Sequence, residues 1–179
     1  MASVNIALIH HPVYNKRKDI VSTCITGVDL HDIARSALTY GVKKYFVVNP
    51  MKAQLDFAER IISCWRKDES FVHNWTRAEA FRNIELAETL EQVIRKLKNP
   101  ILIATSARSK GSLKFSKIRS IIKRSRRPIL ILFGTGWGMT DEMLLKADYI
   151  LEPIKGSLSY NHLSVRSAAA VVLDRLLGG

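Results

Sequence analysis

The chain has 179 residues, 47% hydrophobic and 25% charged, values that fit a globular domain and exclude a disordered or collagen-like polymer. At this length folding buries roughly 70% of the surface that the unfolded chain exposes, enough for one sizeable core. Lys and Arg number 28 against 16 Asp and Glu, a formal net charge of +12 that suits a polyanionic partner.

In chain order, the first strand is expected at Val4–Ile9. No basic segment precedes it, its apolar run is too short for a signal peptide, and no stretch approaches the ~20 apolar residues that cross a membrane. A cytoplasmic protein without membrane contact is expected. His10-His11-Pro12 ends the strand and leads to the basic turn Lys16-Arg17-Lys18, whereas Cys24 and Cys64 lack any CxxC or Cys/His spacing. Neither a disulfide framework nor a metal site is therefore expected. A helix over Leu30–Tyr40, closed by Gly41, leads to a strand at Tyr45–Asn49 and a helix at Met51–Lys67. A strand at Phe71–His73 and a helix at Leu86–Leu97 follow, and Asn99-Pro100 stops that helix before a strand at Ile101–Ala104. Helix Leu113–Arg124 is ended by Arg127-Pro128, and strand Ile129–Phe133 comes next. Thr140 is placed to cap a helix through Lys146, with Asp141 and Glu142 in its first turn. Strand Tyr149–Leu151 and helix His162–Leu177 complete the chain. The alternation predicts one α/β domain over residues 1–179, with a mainly parallel six-stranded sheet covered by helices on both faces.

From Arg108 to Arg127 there are nine basic residues and no acidic one. On the helix within this stretch, Phe115, Ile118, Ile121 and Ile122 form an apolar stripe, and Lys117, Arg119, Lys123 and Arg124 fall outside it. A balanced surface helix pairs such charges with acids three or four residues away, and here none is available. Arg108, Lys110, Lys114 and Lys117 are expected to neutralise phosphates, the alternative being a solvated face in a basic protein. With Phe115 on the apolar stripe, stacking on unpaired bases is not expected.

Two loops near the C-terminal end point to a ligand. Phe133-Gly134-Thr135-Gly136-Trp137-Gly138-Met139 follows a buried strand, and Glu152–Ala168 follows the next one. Glycines at such a turn let backbone approach a ligand closely, and parallel α/β sheets bind ligands at these strand ends. The first loop lacks the Gly-Lys-Ser/Thr of a phosphate loop and the spacing of a dinucleotide fingerprint.

Together the loops resemble the SPOUT superfamily of S-adenosylmethionine-dependent RNA methyltransferases. The resemblance rests on Phe133-Gly134-Thr135-Gly136, on Glu152-Pro153-Ile154, and on Ser159-Tyr160-Asn161 with Leu163-Ser164-Val165. Asp29–Val48 is similar to the first motif of that superfamily, a helix with an Arg followed by a strand; Asp29 stands where many members have Asn. The resemblance implies a C-terminal trefoil knot, a homodimer, S-adenosylmethionine as methyl donor, and tRNA or rRNA as substrate. Whether ribose 2′-O or guanine N1 is methylated stays open.

It also implies site residues. Thr105, Ser106, Gly134, Gly136, Ile154, Gly156, Asn161 and Leu163 are the candidates for the donor loops, Asn161 having helix capping as its alternative. Arg35 is the first candidate for catalysis or RNA positioning, with a surface pair to Asp32 as the alternative. Asp29 would orient Arg35 or act as a base, or else cap its helix. Lys16, Arg17 and Lys18, with His11 and Asn15, are expected to form an RNA-facing loop, although a histidine pair at a strand end is more often structural. The competing function is a noncatalytic RNA-binding module of the same fold.

Overall fold

The structure is a computed structural model that describes residues 2–107, 112–158 and 160–179. Its centre is a parallel sheet in the order β5-β4-β1-β7-β6-β8, with β1 at Val4–Ile9, β4 at Lys44–Val48, β5 at Ile84–Ala87, β6 at Ile101–Thr105, β7 at Ile129–Gly134 and β8 at Tyr149–Leu151. A two-stranded antiparallel ribbon, β2 (Val13–Tyr14) and β3 (Ile20–Val21), stands beside it. The expected α/β class and the six parallel strands are present, with helices on both faces.

Alternation along each strand divides the core. Ile6, Leu8, Tyr45, Val47, Ile129, Ile131 and Phe133 point to one face. There they meet α1 (Gly27–Thr39), α2 (Lys52–Trp65), α3 (Asp68–Phe81), α5 (Phe115–Arg124) and α7 (Val165–Leu177). Ala7, Ile9, Phe46, Val48, Leu130 and Leu132 point to the other face, against α4 (Leu90–Lys96), α6 (Asp141–Leu145) and the ribbon. On α7 the side chains of Ala169, Val172, Leu173 and Leu176 are buried within this chain's own core.

Two expectations need correction. Phe71–His73 is not a strand but part of α3, which starts at the acidic pair Asp68-Glu69. Phe71 and Val72 are exposed, so the run has no buried face that a sheet could use. The sixth strand is β5, whose Leu86 and Ala87 fall at the start of the helix expected over Leu86–Leu97; Glu, Leu and Ala have good helix propensity. Tertiary pairing with β4 overrides that preference, and Glu85 becomes tolerable because Lys44 lies 2.9 Å away with Lys96 on its other oxygen. Burial alone would raise the Glu85 carboxyl, but hydrogen bonds from Lys96 and Lys44 hold it below the usual range.

Several boundaries follow local chemistry. Helix α1 begins at Gly27, earlier than expected, because the Thr26 hydroxyl accepts the Asp29 N–H at 3.2 Å. Its other end closes at Gly41, where φ is +69°. Thr140 caps α6 as expected, accepting the Met143 N–H at 3.3 Å.

The connection from β6 to α5 touches β8 on the side away from β6. Leu113 N–H donates to Ile150 O at 2.8 Å, and Glu152 N–H donates to Leu113 O at 2.9 Å. Strand β8 thus lies between β6 and the segment that leads into α5.

Candidate active site

The order of strands reverses direction at β1 and β7. From β1 the chain moves outward to β4, and β7 lies on the opposite side of β1, with Ile9 registered against Gly134. A crevice opens beyond the C-terminal ends of strands at such a switch point. Here it is a cavity of about 1110 Å³, walled by the ends of β1, β6, β7 and β8 and by the loops that follow them. That is ample for a nucleoside-sized ligand, since ligand pockets commonly measure about 300–1,000 Å³.

The glycine loop forms one wall and is held in place by the ribbon. Tyr14 N–H donates to Gly138 O at 2.8 Å, Trp137 N–H donates to Tyr14 O at 2.9 Å, and Thr135 N–H donates to Ile9 O at 3.2 Å. A Cβ on Gly134 would lie 2.8 Å from both Met139 Cγ and Met139 N, so no side chain fits there. At Gly136 φ is +59°, and a Cβ would come within 3.0 Å of Tyr14 O. Both glycines are therefore required by the packing of the loop itself.

A directed chain of hydrogen bonds runs beneath this loop. The Thr135 hydroxyl donates to Ile9 O at 3.0 Å, so in its 2.5 Å contact with Thr23 it accepts, and Thr23 donates. Thr23 then accepts from His10 Nδ1 at 2.9 Å. Having one hydroxyl proton each, the two threonines fix the His10 tautomer, with its proton on Nδ1 and a bare Nε2 that has no partner among the described residues. Burial, the larger influence, pushes the His10 imidazole down to about 4 against a smaller upward pull from Asp29. His10 is thus a neutral, fully buried ring in the cavity wall.

The opposite wall joins the starts of α1 and α7. Asp29 is almost completely buried; its Oδ2 accepts from Thr26 Oγ1 at 2.6 Å and its Oδ1 accepts from Arg166 Nη1 at 2.8 Å. Arg166 Nε lies 3.5 Å from Asp32 Oδ2. Helix α7 is capped by Ser164, which accepts the Ser167 N–H at 3.2 Å, so Asn161 does not cap this helix.

Of the residues singled out from sequence, the cavity brings together Lys16, Lys18, Asp29, Thr105, Ser106, Gly134, Gly136, Ile154, Asn161 and Leu163. Thr105 spends its hydroxyl proton on Leu132 O at 2.9 Å, leaving its oxygen as an acceptor. Gly156 lies outside the cavity wall, and a Cβ there would meet nothing within 4 Å. Arg17, Lys114 and Lys117 are exposed beyond the wall, and Arg108 and Lys110 lie outside the described residues. His11 is engaged structurally, its Nδ1 3.1 Å from Ser22 Oγ.

Arg35 is exposed and does not line the cavity. It follows Asp29 by six residues, which turns its side chain about 120° away around the helix and about 9 Å along it. Asp32, the partner considered for Arg35, is instead the partner of Arg166. Sequence reasoning missed Arg166, Thr23 and Thr135. For Arg166 a signal existed: it shares a helical face with Ala169, Leu173 and Leu176, and a cation heading a buried stripe needs an acid opposite it.

Other features hold less chemistry. A wide depression of about 500 Å³ is lined by Lys44, Arg66, Arg82, Glu85 and Lys96, whose charges already pair with one another, with Glu79 or with backbone. Among the described residues no cluster of three or more His, Cys, Asp or Glu could hold a metal ion, and no helix is long and apolar enough to cross a membrane.

Residues 3–178 match the family described as SAM-dependent RNA methyltransferase. An uncharacterized protein of Aquifex aeolicus is 42% identical over 97% of this chain and 88% of its own length. A protein of Oleidesulfovibrio alaskensis named tRNA (guanine-N(1)-)-methyltransferase is 37% identical over 96% of this chain, which spans only 41% of that protein's length. Among solved structures, a probable methylase family protein from Haemophilus influenzae has a TM-score of 0.67 at 20% identity, with 98% of this chain and 65% of that one covered. An AdoMet-bound rRNA methyltransferase from Sinorhizobium meliloti has a TM-score of 0.62 at 18% identity, with 97% and 55% covered. At such identities the two structures bear on the fold alone.

Proposed function

Because this chain belongs to the family of SAM-dependent RNA methyltransferases, we propose that the cavity at the ends of β1, β6, β7 and β8 holds S-adenosylmethionine and that a tRNA nucleotide is methylated at its mouth. One observation carries the reading: the Gly134–Gly138 loop and the Glu152–Ser164 segment, far apart in chain order from His10 and Asp29, close on one cavity with them. The residues fit the donor. Gly134 and Gly136 place backbone in the cavity wall, Ile154 and Leu163 supply apolar surface, and the Thr105 oxygen is left as an acceptor. Bound there, the donor would supply a sulfonium methyl group, the S–C bond breaking as the C–N or C–O bond forms, with the thioether as leaving group and the acceptor's proton passing to a base or to solvent.

The protein's contribution is alignment. Hydrogen bonds from the ribbon fix the glycine loop, the neutral His10 holds the two threonines below it, and Asp29 locks the opposite wall through Arg166. Guanine N1 is the favoured acceptor, because the relative with 37% identity carries a name of that activity; ribose 2′-O is the alternative.

RNA reaches the mouth over a basic surface. Lys16 and Lys18 line it with the exposed Arg17 between them in sequence, and the first turn of α5 is joined to the wall by Phe115 N–H donating to Glu152 Oε1 at 2.7 Å. Along α5, Lys117, Lys123 and Arg124 stand exposed around Ser116 and Ser120, whereas Arg119 on the helix and Arg127 beyond its end are bound to backbone carbonyls. We further infer a cytoplasmic homodimer in which the exposed Arg35 serves the partner's cavity. The passage of β8 between β6 and Leu113 supports the trefoil knot that the sequence resemblance implies.

The test is a comparison of modified nucleosides by mass spectrometry in tRNA from cells with and without this protein. Loss of one methylated guanosine is expected; an unchanged tRNA profile overturns the tRNA reading. S-adenosylhomocysteine must also raise the melting temperature through mass action.

A further inference from the structure

Arg166 is tied down twice yet not used up. Its Nη1 donates to the buried Asp29 carboxylate at 2.8 Å, and its Nε lies 3.5 Å from Asp32. A guanidinium has five N–H donors. These two contacts leave Nη2 with no partner among the described residues, on a side chain that lines the cavity and keeps 35% of its surface exposed.

Geometry explains why an arginine stands here. Two carboxylates from successive turns of α1 fix the plane of the guanidinium, which removes most of its rotamer freedom before any ligand arrives. A planar guanidinium held at Nη1 and at Nε leaves Nη2, which lies between them, pointing in a defined direction toward a carboxylate or phosphate oxygen. Were Arg166 only a link between α1 and α7, a lysine reaching the buried Asp29 would serve, and contact with Asp32 would be superfluous. Glu152 and Asp141, the other acids of the wall, make no ion pair with Arg166.

We propose that Arg166 is the oxyanion-binding residue of this site, presenting Nη2 to either the carboxylate of the methyl donor or a phosphate beside the target nucleotide. The proposal rests on the methyltransferase reading given above and adds to it the group that anchors one ligand's negative charge.

The experiment measures S-adenosylmethionine and decarboxylated S-adenosylmethionine by calorimetry on the wild-type protein and on Arg166→Lys and Arg166→Gln. Steady-state methylation of tRNA is followed alongside. The two donors differ in the carboxylate alone, so each variant carries its own control for misfolding. An Asp29→Asn/Arg166→Gln variant removes the buried charge that Arg166→Gln would strand. If the carboxylate is the ligand, S-adenosylmethionine weakens about ten- to a hundredfold, as befits a lost charge-assisted hydrogen bond, while the decarboxylated donor is unchanged. If a phosphate is the ligand, both donors bind as in wild type and KM for tRNA rises about tenfold or more at constant kcat. Equal weakening of both donors, or no change in any of the three measurements, overturns the proposal. Wild-type donor binding tests the methyltransferase reading separately, and the Arg166 assignment stands on the differences between variants.

Discussion

Gly134→Ala isolates the role of the glycine loop. The added methyl would sit 2.8 Å from Met139 Cγ and 2.8 Å from Met139 N. The flexible side chain can yield, but the backbone nitrogen cannot, because the neighbouring Gly138 carbonyl is bound by Tyr14 N–H at 2.8 Å and Val13 bridges to Met139. The loop itself must therefore shift. Overpacking of this kind costs about 1–3 kcal/mol, and a chain of this size loses about 2–4 °C per kcal/mol, so melting should fall by about 2–12 °C. Binding suffers further if the displaced loop must return to hold the donor: the same strain then reappears as about 5- to 150-fold weaker affinity. Differential scanning fluorimetry with and without S-adenosylmethionine, followed by calorimetry, reads both quantities. Gly156→Ala, where nothing lies within 4 Å, is the comparison for stability and should melt within about 1 °C of wild type. A Gly134→Ala protein with wild-type melting and wild-type donor affinity would refute the steric argument.

Three further outcomes follow from the site. His10 titrates near 4 in the fold against 6.5 when unfolded, so its contribution is present above pH 6.5 and is lost as pH falls toward 4, by about 3 kcal/mol at most. Urea denaturation at pH 7 and 4.5 should show a smaller pH loss for His10→Asn than for wild type, and equal losses would remove His10 as the cause. A double-mutant cycle of Asp29→Asn and Arg166→Gln should give a coupling of about 1–2 kcal/mol in urea denaturation, whereas additive effects would deny the link between α1 and α7. Lys117→Glu/Arg124→Glu should flatten the dependence of log affinity for tRNA on log salt by about 1.4, at roughly 0.7 per lost single-strand phosphate contact. An unchanged slope in filter binding would place the RNA elsewhere.

Periodicity made most of the fold legible. Val4–Ile9 and Ile129–Phe133 are continuous apolar runs because both of their faces are covered, and Thr140, Gly41 and the Pro100 and Pro128 stops act locally as their residue types require. The reading failed where local preference and tertiary pairing disagree, at the α3 run Phe71–His73 and at the edge strand Ile84–Ala87. For the site, the glycine loop was legible because it depends on backbone geometry that only glycine supplies. Arg166 and the His10–Thr23–Thr135 chain were not, since each joins residues more than ten positions apart, and no spacing encodes which threonine donates. Arg35 and Asp29 share one motif in the sequence, yet the turn of a single helix sends them to different surfaces.

The cover that Leu113 lays over β8 has a counterpart at the other end of the sheet. There the outward-facing Ile84 carbonyl of β5 accepts Arg66 Nη2 at 2.5 Å, and β5 itself is only four residues long. Unpaired strand edges are where foreign chains add on and where aggregation starts. With Leu113 bridged to β8 at one edge and the Ile84 carbonyl of β5 taken by a guanidinium at the other, each edge of this sheet carries a local cover against strand addition.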